Sequence, residues 1–363
     1  MLRTGYFAFH LWLLFLLMLL PGVAQGENAE ELYQKMQGLA PEKRQQLLIE
    51  GAKKEATVMI YGTFSRPDQD VLLAAFRKKY PFIQPQLLRE GRGAALADRA
   101  LAEIRAGRHI VDVMAGGDTA LPPLLKASAL ARYHSPERKY YPKDYRDEEG
   151  YWTAAFVYEW VFGYNTRLVD RAKLPKSYFD LLDPYWKGKL VLDPLPNFFV
   201  RGALITYGEE KAMELFRRIV QHELGFRRGR TLQTQLLAAG EFSASPEQNL
   251  ATLVKMKGEG APVDFHYIYP SPVSFGPVAV FNTSPHPYAA ALFVDFWLSA
   301  EGQKVMTERE YSVVREGMGT GDAAGARSRV TIRPEWVVAN EDKVQQINQE
   351  IFTRRAKGAE QKR

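Results

Sequence analysis

Between Thr57 and Ser128 the chain repeats one pattern three times: an apolar run of strand length, a glycine turn, and an amphipathic stretch of helix length. Thr57-Val58-Met59-Ile60-Tyr61 reads as a buried strand, Gly62 to Pro67 as its turn, and Asp68 to Tyr80 as the helix. Ile83 to Leu88 is the second strand, followed by Gly91 and Gly93 and a helix over Ala94 to Ala106. Ile110-Val111-Asp112-Val113-Met114 is the third, with Ala115-Gly116-Gly117 turning into a helix over Leu121 to Ser128. Few folds accept that repeat other than a parallel α/β sheet. In such sheets ligands sit at the carboxyl ends of strands, where backbone N–H groups and helix dipoles attract anions. The candidate turns are Gly62–Ser65, Glu90–Gly93 and Ala115–Asp118, and the candidate contacts in them are Gly62, Thr63, Ser65, Arg92, Gly116, Gly117 and Asp118. Ser65 stands three residues before Asp68, a capping-box spacing. The plainer reading keeps these as ordinary turns, with glycine there for backbone reasons.

The remaining chain is long enough for roughly two domains in all. Glu27 to Lys54 reads as surface helices broken at Pro41. Trp152 to Tyr164 is a long aromatic strand, and Leu181 to Leu192 a turn feeding a strand. Helices are expected over Phe199–Tyr207, Glu209–His222 and Leu232–Ala239. Val263 to Val280 is extended, and Pro287–Ser299 and Glu301–Arg309 are helical. Residues 320–329 read as loop and Arg354 to Arg363 as a solvated basic tail.

Residues 1–26 carry the parts of a secretory signal. Arg3 is the positive start, Phe7 to Leu20 is apolar except for His10, and Ala24-Gln25-Gly26 is a small-x-small cleavage site. The apolar run is shorter than the roughly 20 residues of a membrane span. The chain contains no cysteine, which excludes disulfides, thiolate chemistry and a lipidated N-terminal cysteine. An exported, soluble, periplasmic protein is the expectation, cleaved near Gly26. A formal charge of +6 from 48 basic and 42 acidic residues suits attraction of anions and gives no sign of nucleic-acid binding.

No nucleophile elbow, Walker loop or His-Glu-x-x-His pair occurs. Gly317-x-Gly319-x-Gly321 lacks a strand before it and a helix after it. No catalytic residue, cofactor or resident metal is therefore assigned. Arg227-Arg228-Gly229-Arg230 precedes a helix, where an arginine fork suits a carboxylate or phosphate, or simply a solvated loop. His266, Tyr158, Tyr267 and Tyr269 lie near expected crossings between domains. Two other readings stay open: a secreted hydrolase on a related α/β frame, and a two-lobed envelope sensor partnered with a membrane kinase.

The chain also resembles bacterial extracellular solute-binding proteins of the ferric-iron type. The resemblance rests on Leu101-Ala102-Glu103-Ile104-Arg105-Ala106-Gly107 before Val111-Asp112-Val113, Tyr151-Trp152-Thr153-Ala154, and Gly163-Tyr164-Asn165-Thr166. It extends to Leu182-Asp183-Pro184-x-Trp186-Lys187-Gly188-Lys189, Leu236-Leu237-Ala238-Ala239-Gly240-Glu241, Gly276-Pro277-Val278-Ala279-Val280, and Pro285-His286-Pro287 before Phe293-x-Asp295-Phe296. It implies a type II periplasmic-binding fold of two lobes, each a mostly parallel sheet flanked by helices, joined by two hinge crossovers and closing over one ligand. The implied division is a helical segment over 27–55, lobe one over 56–155 and 270–320, lobe two over 156–269, and a C-terminal extension over 321–363. It also implies a monomer that hands a small solute to an ABC permease. Members that hold bare ferric iron use a histidine after the first strand, a carboxylate after the third, and adjacent tyrosines in lobe two. Here Ser65 falls at the histidine position, Gly117 at the carboxylate position with Asp118 beside it, and Ser245-Pro246-Glu247-Gln248 in the tyrosine region. Hard ferric iron prefers anionic oxygen ligands, so a chelated iron or a small organic anion fits better. Asn197, Arg230, Glu247 and Tyr269 are the contacts expected from lobe two or the hinge.

Overall fold

The computed structural model describes residues 28–90, 93–269, 271–318 and 329–360. The signal segment and Arg92 lie outside the described residues. The N-terminal part is helical, as expected: α1 (Ala29–Met36) and α2 (Pro41–Glu55), with Pro41 as the first residue of the second helix. Both join the hydrophobic core of the first lobe through Tyr33, Met36, Leu48 and Ala52.

The repeat then appears in order: β1 (Thr57–Gly62), α3 (Arg66–Lys79), β2 (Gln84–Arg89), α4 (Gly93–Arg105), β3 (Val113–Ala115), a 3-10 turn over Asp118–Ala120, and α5 (Leu121–Lys126). Ser65 caps α3, its hydroxyl accepting from the Asp68 N–H. The third strand is shorter than its apolar run, although Asp112 just before it still bonds through its backbone to Met59 and Phe281 at 2.9 Å each. The Asp112 carboxylate, fully buried, accepts from the Met59 N–H at 2.6 Å, the Ser284 hydroxyl at 2.6 Å and the His286 N–H at 2.9 Å.

The long strand β4 (Thr153–Asn165) follows, then β5 (Val191–Leu192), α6 (Asn197–Ile219), β6 (Gly225–Phe226), α7 (Arg230–Ala239), β7 (Ala244–Asn249), α8 (Leu250–Gly258) and β8 (Val263–His266). Gly208, with φ 75°, divides α6 where the sequence places the break between two helices. The chain continues through β9 (Ser271–Val280), α9 (Pro287–Leu298), α10 (Ala300–Glu308), β10 (Arg329–Thr331), α11 (Pro334–Ile347), a π-helical turn over Asn348–Thr353, and α12 (Arg354–Glu360).

The main sheet runs β2-β1-β3-β9-β4-β7, with β10 on β9 and β8 on β4; β5 and β6 pair separately. It is mixed rather than mostly parallel. β1 pairs in parallel with β2 and β3, but β3–β9, β9–β4, β4–β7 and β4–β8 are antiparallel. A helix crossover enforces parallel pairing in the first three strands, whereas β4 is shared by partners that return along it.

β4 is also where the chain changes lobe. Thr153 to Glu159 pair with β9 on the first core, and Trp160 to Asn165 pair with β7 and β8 on the second. The link from β8 to β9 is a second passage. A third, beyond the two expected, runs from β10 on β9 into α11, which packs against α6 and also against α5. Residues 329–360 are therefore packed into the lobes rather than appended to them. Val344, Ile347, Phe352 and Ala356 belong to the core cluster around Phe199, Phe216 and Trp186. Arg354 to Glu360 is helix α12 rather than a solvated tail, because Ala356 is buried in that core. Residues 319–328, most of the expected Gly/Ala/Arg loop, lie outside the described residues.

Candidate functional site

One face of β4 carries Phe156, Tyr158 and Trp160 at the two-residue period of a strand. Their rings form a continuous row, with centroids 5.1 Å apart for Phe156–Tyr158 and 6.5 Å for Tyr158–Trp160. At one end Phe64 packs edge-on against Phe156 at 5.7 Å; at the other Phe198 stacks on Trp160 at 3.9 Å and 13°. Phe64 belongs to the turn after β1 and Phe198 to the first turn of α6. The row thus connects the candidate turn of the first lobe to the candidate helix start of the second.

In the first lobe, Thr63, Gly116 and Gly117 come together. The Thr63 N–H donates to the Ala115 carbonyl at 3.2 Å, which docks the first turn on the third. Gly116 and Gly117 have φ of 81° and 84°, and a Cβ on either would stand 2.9 Å from the Thr63 side chain. Glycine is required there twice over, by backbone conformation and by the approach of Thr63. The Thr63 hydroxyl is buried without a hydrogen-bond partner. Gly62 is covered by Gln69, whose amide stands 2.8 Å from where its Cβ would be. Ser65 is committed to capping α3. Its hydroxyl bonds Asp68, which also accepts from Arg309 at 2.6 Å and Tyr311 at 2.9 Å. Asp118 opens the 3-10 turn after Gly117.

In the second lobe, Asn197, Arg230 and Glu247 come together although they are distant in sequence. Glu247 lies in β7 and is 3% exposed. One carboxylate oxygen accepts from the Phe199 N–H at 3.1 Å in the first turn of α6, and the other accepts from Arg230. Burial raises the Glu247 carboxyl above its ordinary range, opposed by the Arg230 charge and the Phe199 N–H. The Arg230 guanidinium lies 4.7 Å from the Trp160 ring centroid and 5.2 Å from that of Phe198, and its Nε is buried without a partner. Asn197 accepts from the Asn348 amide at 2.6 Å, so the C-terminal segment helps to fix the start of α6. Tyr269 stands apart, stacked on Tyr267 at 5.5 Å and 12° in the second passage.

The platform under Arg230 was legible only in part. The alternation of aromatic residues in β4 marks Trp160, but Phe198 has no local signal. β7, with the sequence Ala-Ser-Pro-Glu-Gln-Asn, lacks the apolar pattern of a strand because Glu247 and Gln248 spend their side chains on a buried polar network. Gln248 donates to Gln233 at 2.9 Å and to Ser245 at 3.1 Å, and accepts from Thr234 at 2.7 Å. Among the described residues, no group of three or more histidine, aspartate or glutamate side chains is arranged to hold a metal ion, and no helix is long and apolar enough to cross a membrane.

The sequence profile of the bacterial extracellular solute-binding proteins matches residues 110–330. The Fe(3+)-binding periplasmic protein of Serratia marcescens is 24% identical over 251 residues, covering 67% of this chain and 70% of that one. The crystal structure of iron-bound HitA from Pseudomonas aeruginosa superimposes with a TM-score of 0.71 at 22% identity, over 82% of this chain and 99% of that one. The Trichodesmium protein IdiA (FutA), in complex with iron and citrate ligands, does so with a TM-score of 0.69 at 19% identity, over 81% and 99%. The fold is that of these two-lobed binding proteins, and with the profile spanning well over half of its length, the chain belongs to the bacterial extracellular solute-binding proteins.

Proposed function

We propose that this solute-binding protein is the periplasmic receptor of an ABC importer, exported by a signal cleaved near Gly26, and that it captures a small organic anion or a chelated ferric ion between its lobes. The family is one of binding proteins and not of enzymes. The observation that carries the ligand class is Arg230. Its guanidinium is held at the start of α6 over Trp160, and its Nε has no partner. Glu247 fixes the group in place, and the part of the fork that reaches solvent, with 27% of the side chain exposed, suits a carboxylate or phosphate oxygen. On the first lobe, the Thr63 hydroxyl over Gly116 and Gly117, buried and unpartnered, supplies a second polar contact once the turn around it shifts to admit a ligand. Tyr158 and Trp160 lie between them and suit the organic part of a chelator better than a hydrated ion.

A bare ferric ion asks for several anionic oxygens, whereas Glu247 is already committed to Arg230 and Phe199. A chelated ion brings its own. The related Trichodesmium structure contains iron and citrate, which supports the same reading. Contacts from both lobes are what make a ligand favour the closed arrangement. Thermal-shift titration with ferric citrate, citrate, inorganic phosphate and ethylphosphonate tests the proposal. At least one of them raises the melting temperature of the parent protein, and Arg230→Met removes that shift. No shift with any of the four, or a shift that survives Arg230→Met, contradicts it.

A further inference from the structure

All three passages between the lobes meet at one carboxylate. Glu159 is the last residue of β4 to pair with β9, opposite Val273, and Trp160 is the first to pair with β7. Tyr267 follows directly on β8, in the second passage. Arg329 opens β10, at the start of the third. One oxygen of Glu159 accepts from the Tyr267 hydroxyl at 3.2 Å and from Arg329 Nη2 at 3.0 Å. The Glu159 side chain is 1% exposed and that of Arg329 11%, so water does not screen the pair. The first two passages are laced further: the Ser271 hydroxyl donates to the Trp160 carbonyl at 3.0 Å, and the Trp160 indole N–H to the Ser274 hydroxyl at 3.2 Å.

The pair is also incomplete. An arginine fork gives a carboxylate two parallel hydrogen bonds, yet here Arg329 Nε and the second Glu159 oxygen are both buried and without a partner. Buried donors and acceptors are nearly always satisfied, so a spare donor and a spare acceptor within one ion pair need an explanation. Rotation of the third passage about the first would let them meet, and the contact would pass from one bond to two without breaking.

We infer that Glu159 is the positioning residue of the hinge. Its carboxylate holds the three passages together and sets the angle between the lobes, and the spare atoms let the tie persist as the lobes turn. The inference rests on the receptor reading only in that cargo capture is what turns them.

The parent chain has no cysteine, so spin labels attach only where cysteines are introduced. Asp98→Cys on α4 and Lys211→Cys on α6 place one label on each lobe at exposed positions. Pulsed electron–electron distance measurement, with no solute added, then reports the angle between lobes. The otherwise unsubstituted pair gives one narrow distance. Glu159→Gln and Arg329→Met each widen the distribution at least twofold, Arg329→Lys restores most of the narrowness by keeping the charge, and Tyr267→Phe widens it less. Tyr267→Phe keeps both charges and removes one hydroxyl, which leaves a readable variant should the others fail to fold. An unchanged distribution in the folded variants overturns the inference whatever the protein binds. A protein that binds no solute at all would sink the receptor reading and leave the measured hinge where it is.

Discussion

The two ends of the aromatic row differ in chemistry from one lobe to the other. In the first lobe this is backbone and a single hydroxyl: Thr63 over Gly116 and Gly117, with no charge on any of those three residues. The second presents a guanidinium that already carries its own counter-ion, Glu247. A turn made of glycine and threonine is set by local sequence, since φ near 80° strongly favours glycine whatever packs around it. A charge pair beneath a helix start is set by tertiary structure, because residues 160, 198, 230, 247 and 348 meet only when the chain is folded. The first group is thus a property of its segment, and the second a property of the lobe. Their mutational responses differ accordingly.

The largest effect is expected at Glu247. Glu247→Ala leaves Arg230 beside two aromatic rings without its carboxylate and frees the Phe199 N–H, both in a buried setting. Breaking one half of a buried pair costs about 3–5 kcal/mol. Arg230 retains some solvent access, with 27% of its side chain exposed, so the loss should fall just below that range, on the order of 2–3 kcal/mol. Chemical denaturation measures it, and a loss below about 0.5 kcal/mol would place the pair among surface contacts.

Gly116→Ala comes next. The new methyl meets the Thr63 hydroxyl at 2.9 Å in a left-handed backbone, at a cost of about 1–2 kcal/mol. In a Thr63→Ala background the steric part vanishes and the backbone part stays, so the double-mutant cycle should show coupling of about 0.5 kcal/mol or more. Strict additivity would deny that the two turns touch.

A third test compares two carboxyls, one in each lobe, that cap helices foreign to their own segments. Glu247 caps α6 beside a cation. Glu55 caps α9, accepting from the Tyr288 N–H at 3.2 Å and the Ala289 N–H at 2.7 Å; burial pushes its carboxyl up to about 7, against those N–H bonds and nearby His286. A carboxyl raised on folding contributes stability that is whole below about pH 4.3, its unfolded value, and is lost as pH rises through the folded one. The melting temperature should therefore fall between pH 5 and 8, and Glu55→Gln should flatten that fall. An equal fall in both proteins contradicts the assignment.

The smallest effect is expected at Thr63→Val. It replaces a hydroxyl that has no partner, so stability in the absence of solute changes by about 0.5 kcal/mol or less, while affinity for a solute that shifts the parent's melting temperature falls several-fold. A large loss of stability with affinity intact would reverse the roles given to the two lobes.

The same contrast explains how much was readable beforehand. Strand, turn and helix in the first lobe follow from apolar period and glycine, and β1, α3, β2 and α4 lie where the pattern puts them. Ser65 was legible as a helix cap, and its hydroxyl is spent on Asp68, which leaves little of it for a ligand. β7 was hidden because a buried strand that carries Glu247 and Gln248 has the composition of a loop. The third passage was hidden too: Arg329 sits beside a glycine- and alanine-rich stretch, and only the sheet shows that it pairs with Ser271. Nothing local to α11 or α12 announces that Val344 and Phe352 complete the core of the second lobe. Long-range packing decided each of these.

Whether a solute is gripped from both lobes at once is decided by co-crystallisation with the compound giving the largest thermal shift, followed by inspection of the difference density. Density is expected over Tyr158 and Trp160, within hydrogen-bonding distance of both the Thr63 hydroxyl and the Arg230 guanidinium. Density that touches one lobe alone, or that lies away from the β4 aromatic row, rules out a two-sided grip.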